Sequence, residues 1–372
     1  IMDEPIIRVW MPDRFPPKTH YLKRPGRWIA EPVWPPSDSD SNFKYKILFL
    51  NRNNLNTIEE PESHLLFPNS QLVGLNAGVW FPMGNPGEFP GDQRSADSVS
   101  LCFDSEIFDK NIEILGNPEL TLSLSSSCNK GLIAARLCDV APDGSSLLVS
   151  WGLNNLTHYK SHEFPEVLTK GERFVVNFQL NACAHSLKSG HKWRLSLSSS
   201  YFPHAWPSSE LSELKIFNGT DTFLKLPYRN RRKEDLKLQE FLEPECSRPL
   251  VTKYLRESTQ KKTITHDAIE NSYSIKYKVD NGRYLIVAED IETEDISCDT
   301  LSIKEGEPLS LNVCCERISE IGRGKWNTRI EALGEMKASS VDFLIRSKLK
   351  VFEREEKIFE KSWDIKIPRK LV

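Results

Sequence analysis

Through the middle of the chain, apolar residues recur at every second position in short runs. Leu120, Leu122 and Leu124 alternate with Thr121, Ser123 and Ser125. Phe174, Val176 and Phe178 alternate with Val175, Asn177 and Gln179, and Trp193, Leu195 and Leu197 with Arg194, Ser196 and Ser198. A period of two puts every apolar side chain on one face of an extended strand, whereas an amphipathic helix repeats at three and four. Turn sequences separate the runs. Gly131 to Val140 is followed by Ala-Pro-Asp-Gly and then Ser145 to Leu153, with Pro at the second turn position and Gly at its end, which predicts a hairpin. Lys170-Gly-Glu and Ser189-Gly-His introduce the later strands. Short strands with no helical periodicity between them argue for an all-β, antiparallel sandwich.

The rest of the chain fits around this centre. Asp92 to Ser105 reads as a polar loop entering a strand, and Leu115 to Ser126 as a connection and a second strand. The start, Ile1-Met-Asp-Glu-Pro, runs directly into the strand-like Ile6-Ile-Arg-Val-Trp-Met, so the chain reads as cut from something longer. From His20 to Pro36, Pro25, Pro32, Pro35 and Pro36 exclude helix and favour an extended path. The run of interleaved bases and acids after Tyr228 reads as a solvated, charged connector over 229–266. Strand-like patterns resume over 272–279, 284–289, 310–315, 326–332 and 343–352, and Lys357 to Arg369 alternates well enough to be one more strand.

Charge and composition remove several function classes. At 372 residues and 39% hydrophobic, the chain buries a sizeable core, while a net charge of −3 offers no basic field for nucleic acid or an anionic membrane. No apolar run approaches the roughly 20 residues of a membrane-spanning helix. The eight cysteines contain no Cys-x-x-Cys pair, so neither a disulfide framework nor a zinc pattern is expected, and a reducing cytoplasm is the default compartment. The pairs His185/His191 and His158/His162 have no partner ligand at a convincing spacing and are expected on the surface. Asp92, Asp97 and Asp104 match no calcium-loop spacing and read as carboxylates capping turns. No metal and no cofactor is expected.

A set of motifs in fixed order carries a resemblance. Pro25-Gly-Arg-Trp, Trp34-Pro, Asp92-Gln-Arg, Phe103-Asp-Ser, Leu115-Gly-x-Pro, Arg136-Leu-Cys-Asp-Val-x-Pro-Asp-Gly, Gly190-His, Leu195-Ser-Leu-Ser and Ile367-Pro-Arg together resemble the carboxy-terminal module of the cocaine esterase and X-Pro dipeptidyl-peptidase family of serine hydrolases. The resemblance covers nearly the whole chain from about residue 5, closest to the longer members with an extra β-rich extension. It implies a jelly-roll-like, galactose-binding-like sandwich over 1–228, the connector, and an extension over 267–372 packed on the sandwich. It makes Asp92, Gln93, Arg94, Asp139, Asp143 and Gly144 structural motif positions.

The resemblance also implies what the chain does not do. The family's catalytic Ser, Asp and His precede the sandwich, on an α/β-hydrolase domain that would be the partner of this module. Here there is no Gly-x-Ser-x-Gly elbow, and the alternating strand and helix pattern of such a domain is missing. The expectation is a non-catalytic module of an enzyme that cleaves a small ester or an X-Pro peptide. In the family, the loop before Asp-Gln-Arg lines the acyl pocket, which points to Trp80 and Phe81. The alternative is a stand-alone carbohydrate-binding or protein-interaction sandwich; nine tryptophans allow it, but Trp151 and Trp193 lie at strand positions suited to a core.

Overall fold

The structure is a computed structural model that describes residues 4–372 except 38, 53, 239 and 240. It divides into two compact units, Ile1–Phe241 with Leu371–Val372, and Leu242–Lys370. The strands of the first unit are, in chain order, β1 (Ile7–Pro12), β2 (Gly26–Glu31), β3 (Phe43–Leu50), β4 (Leu55–Asn56) and β5 (His64–Leu66). After a helical turn α1 (Arg94–Asp97) come β6 (Leu101–Asp104), β7 (Ile112–Gly116), β8 (Glu119–Ser126), β9 (Leu132–Val140) and β10 (Ser146–Asn155). They are followed by β11 (Arg173–Gln179), β12 (Cys183–Leu187), β13 (Lys192–Ser198), β14 (Leu214–Phe217) and β15 (Phe223–Arg229).

Two of its sheets face each other. One has four strands in the order β10-β9-β13-β6; the other has nine, with β8 paired to β11, β14 and β15. The alternation explains why they stack. Leu120, Leu122 and Leu124 of β8 meet Ile133, Ala135 and Leu137 of β9 and Trp193, Leu195 and Leu197 of β13 in one buried core. Trp193 is fully buried. The strands pair antiparallel, as the turn spacing predicted, and the β9–β10 hairpin closes through Ala141–Ser145. The first unit is thus an all-β antiparallel sandwich.

Two expectations change here. The polar loop that opens at Asp92 is not loop throughout: Asp97 and Ser98 donate backbone N–H groups to the carbonyls of Gln93 and Arg94, making α1 from Arg94 onward. The connector over 229–266 is not uniformly solvated either. Arg229 is buried, its guanidinium bonded to Glu31, Glu113 and Asp235. Burial pushes the Asp235 carboxyl up, yet the Arg229 hydrogen bonds hold it below its ordinary value. The opposite charges that made the run look solvated pair with one another and with β2 and β7. Beyond residues 239 and 240, which lie outside the described residues, the connector folds into strands.

Those strands open the second unit: β16 (Thr252–Arg256), β17 (Thr259–Asp267), β18 (Ser272–Ile286), β19 (Ile291–Lys304), β20 (Glu307–Arg323), β21 (Trp326–Ala338), β22 (Asp342–Glu353) and β23 (Glu356–Pro368). They form one eight-stranded sheet in which β18 to β23 pair in chain order. Expected strands at 272–279 and 284–289 are halves of β18, joined across a bulge at Asp280–Arg283. Among the described residues no helix is long and apolar enough to cross a membrane.

Candidate functional site

Trp80 and Phe81 ride on a loop that the chain fixes from beneath. Gly78 adopts φ +82°, and a Cβ there would lie 2.4 Å from the Glu88 carbonyl oxygen, so only glycine fits. The buried Glu88 carboxylate accepts from the backbone N–H of Met83 at 2.7 Å and from that of Asn85 at 2.9 Å. Burial pushes this carboxyl up, but the hydrogen bonds from Asn85 and Met83 outweigh burial and hold it below the usual range. With its base tied down, the loop presents Trp80, Phe81 and Met83 at 63%, 78% and 81% exposure. Trp80 leans edge-on against Trp151 at 4.9 Å and against His204 at 5.7 Å; Trp151 in turn meets buried Tyr201 at 5.5 Å. The result is an aromatic platform, anchored at one end and open at the other.

Asp92 and Gln93 lead into α1, which begins at Arg94, and both bond the backbone of Ser146 in β10. Asp92 Oδ1 accepts from the N–H of Arg94 and of Ser146, a turn cap as expected. Gln93 is wholly buried; its amide donates to the carbonyls of Asn76 and Gly91 and accepts from Arg136 Nη1 at 3.0 Å. Arg94 is exposed and pairs with Asp92 at 2.9 Å. The other two acids expected as caps do different work. Asp97 is buried between Arg136 at 3.0 Å and Arg194 at 3.3 Å and accepts from Ser146 and Ser196. Asp104 pairs with Arg194 and Lys192; burial raises its carboxyl, and those cations bring it below the ordinary value.

Asp139 sits at the centre of a second cluster. Its carboxylate takes His185 Nε2 on one oxygen at 2.8 Å and His191 Nδ1 on the other at 2.6 Å, with Arg14 Nε 3.6 Å away. Both imidazoles are buried, at 3% and 8% exposure, so the surface placement expected for them is wrong. The reason lies in the register. β12 and the turn before β13 bring positions 185 and 191 over the one carboxylate of β9. Burial works to raise the Asp139 carboxyl, but the two histidines hold it below the usual range. Neither imidazole bonds a serine hydroxyl among the described residues. Close by, Asp143 accepts from the Ser145 N–H and hydroxyl, and Gly144 at φ +80° turns the chain. Arg14 Nη2 reaches the same Ser145 hydroxyl at 2.6 Å. Of the motif positions, Gln93 and Asp139 are the buried polar centres, while Asp92, Asp143 and Gly144 shape the turns beside them.

His158 and His162 approach at 3.4 Å between Nδ1 atoms, with no third ligand; among the described residues no group of three or more His, Cys, Asp or Glu is placed to hold a metal.

Residues 1–245 match the family described as the X-Pro dipeptidyl-peptidase C-terminal non-catalytic domain. The chain belongs to this family. As such a domain, it is similar to cocaine esterase of Rhodococcus sp. (strain MB1 Bresler), with 28% identity over 148 residues, or 39% of the chain and 25% of the esterase. The chain therefore spans about a quarter of that curated relative. Among solved structures it is similar to an alpha-amino acid ester hydrolase, with TM-score 0.45 and 20% identity over 55% of this chain and 39% of the other. A CocE/NonD family hydrolase from Staphylococcus aureus gives TM-score 0.45 and 17% identity over 62% and 42%.

Proposed function

We propose that this domain packs on an α/β-hydrolase domain and forms one wall of its substrate pocket, the complete enzyme cleaving small esters or X-Pro peptides. The observation that carries the reading is the aromatic loop. Large apolar side chains on a pinned, rigid loop, exposed at their tips and supported at their base, suit a surface that another domain covers. Pockets at domain interfaces lined by aromatics are a common arrangement for small-molecule sites. The family membership supports the same reading, because the family is defined as the non-catalytic part of such a hydrolase. Buried Gln93 ties the two ends of the loop to the sandwich, bonding Asn76 and Gly91 on either side of it and Arg136 of β9. A jelly-roll course for the sandwich and a cytoplasmic setting belong to the same proposal.

The test is kinetic. In the enzyme formed by this domain and its hydrolase domain, Phe81→Ala and Trp80→Ala should raise KM for long-acyl esters several-fold while kcat for an acetyl ester stays within about twofold, since lost ground-state contacts act on KM. Unchanged KM across acyl length in both variants contradicts a pocket role.

A further inference from the structure

The second unit presents a surface beyond the residues matched by the family. Its paired registers set Ile264, Ile275, Leu301, Val313, Met336, Ile345 and Ile365 side by side across β17 to β23. Side chains alternate, so residues an even number of positions away share that face. It gains Val279, Ala332 and Leu349 from one flanking register and Ile330, Val351 and Phe359 from the next. The opposite face is charged: one register there holds Lys276, Glu335, Arg346 and Asp364, with Arg346 bonded to Asp364 at 2.9 Å.

The apolar face is open at β17 and along β21 and β23, whereas Ile275 on β18 is buried. Ile264, Ile330, Phe359, Ile365 and Ile367 are 44–47% exposed, although each lies within a paired strand. Seven strands about 4.8 Å apart, each about a dozen residues long at about 3.4 Å, make a face on the order of 1,000 Å². That exceeds the roughly 300–600 Å² patch of a typical monomer and reaches the roughly 800 Å² per partner of a stable complex.

We propose that this face is covered by the same face of a second copy of the chain, about a two-fold axis lying between the sheets. The relief favours self-association. Cys315, Gly334 and Ser347 stand in one register between Asp299 and Trp363, and nothing lies within 4 Å of where a Gly334 Cβ would be, so small residues form a short trough over β20 to β22. The adjoining register of Val313, Met336 and Ile345 is a ridge. A two-fold axis carries each ridge onto the partner's trough, giving an isologous interface at the roughly 10 Å spacing of stacked sheets. On this face Asp299 and Arg317 pair at 2.7 and 3.0 Å, so their charges are neutralised within the chain.

Light scattering after size exclusion tests this on the purified full chain at micromolar concentration. The expected mass is twice 42.7 kDa. Ile330→Glu combined with Ile365→Glu should give a monomer, while Leu344→Glu, on the charged face and 45% exposed, should leave the dimer intact. Gly334→Leu fills the trough without adding charge, and its open surroundings keep the fold; it should weaken the dimer tenfold or more. A monomeric wild type overturns the proposal, as does a dimer indifferent to both face variants or broken equally by Leu344→Glu.

Discussion

At Asp139 a carboxylate stands inside a strand whose one other charged residue is Arg136, and its hydrogen bonds come from groups 46 and 52 residues further along, with Arg14 Nε 3.6 Å away. The first half of that fact is legible in the sequence, since a lone acid in a largely apolar strand demands partners. The second half is not, because the partners depend on strand register across the sandwich. The same holds for Asp97, whose partners are Arg136 and Arg194, and it is why the motif positions could be named while their chemistry was not. Asp139→Ala strips the acceptor from two buried imidazoles and should cost about 3–5 kcal/mol in urea denaturation. The pH dependence has a definite sign. The folded-state carboxyl lies below its ordinary value of about 4, so the stability it supplies is present above that value and lost as pH falls through the folded one. The stability gap between wild type and Asp139→Asn should therefore shrink as pH falls below about 4; a gap that grows over that range contradicts the assignment.

Among the elements, those with clean alternation were readable and those without it were not. β8, β11, β13 and β23 follow from period two, and the β9–β10 hairpin from its turn residues. β19 escaped notice because Glu292, Glu294, Asp295 and Asp299 interrupt it, and it is a strand because β18 and β20 flank it on both sides. α1 is too short for any helical period. β18 reads as two strands because its bulge holds Asn281-Gly282, a turn-like pair. There Gly282 sits at φ +77°, its N–H donates to Asp280 Oδ1 at 2.9 Å, and a Cβ would meet the Arg256 carbonyl at 2.5 Å. Asp280 also clamps Arg256 of β16 with two hydrogen bonds. Gly282→Ala should destabilise the second unit by about 1–3 kcal/mol. Hydrogen exchange should show lost protection in β16 to β18, with the β8 and β13 amides unchanged. In the first unit, Trp193→Ala empties a fully buried site and should cost about 3–5 kcal/mol. Equal loss of protection across both units would contradict their separation.

As a whole, the molecule is a sandwich of the non-catalytic family followed by an amphipathic sheet. The family was legible because many short motifs stand in one order; each alone is a turn or a strand end. The two-faced character of the second sheet was not, because a common face emerges only when six registers are aligned. We propose that the acyl-transfer chemistry of the complete enzyme lies outside these 372 residues. The most direct measurement incubates the purified chain with a p-nitrophenyl acyl ester and an X-Pro anilide, with a serine-directed phosphonate as a covalent probe. No turnover and no labelling above a denatured control is the predicted result. Turnover together with one stoichiometrically labelled serine would contradict it and place a nucleophile within the sandwich.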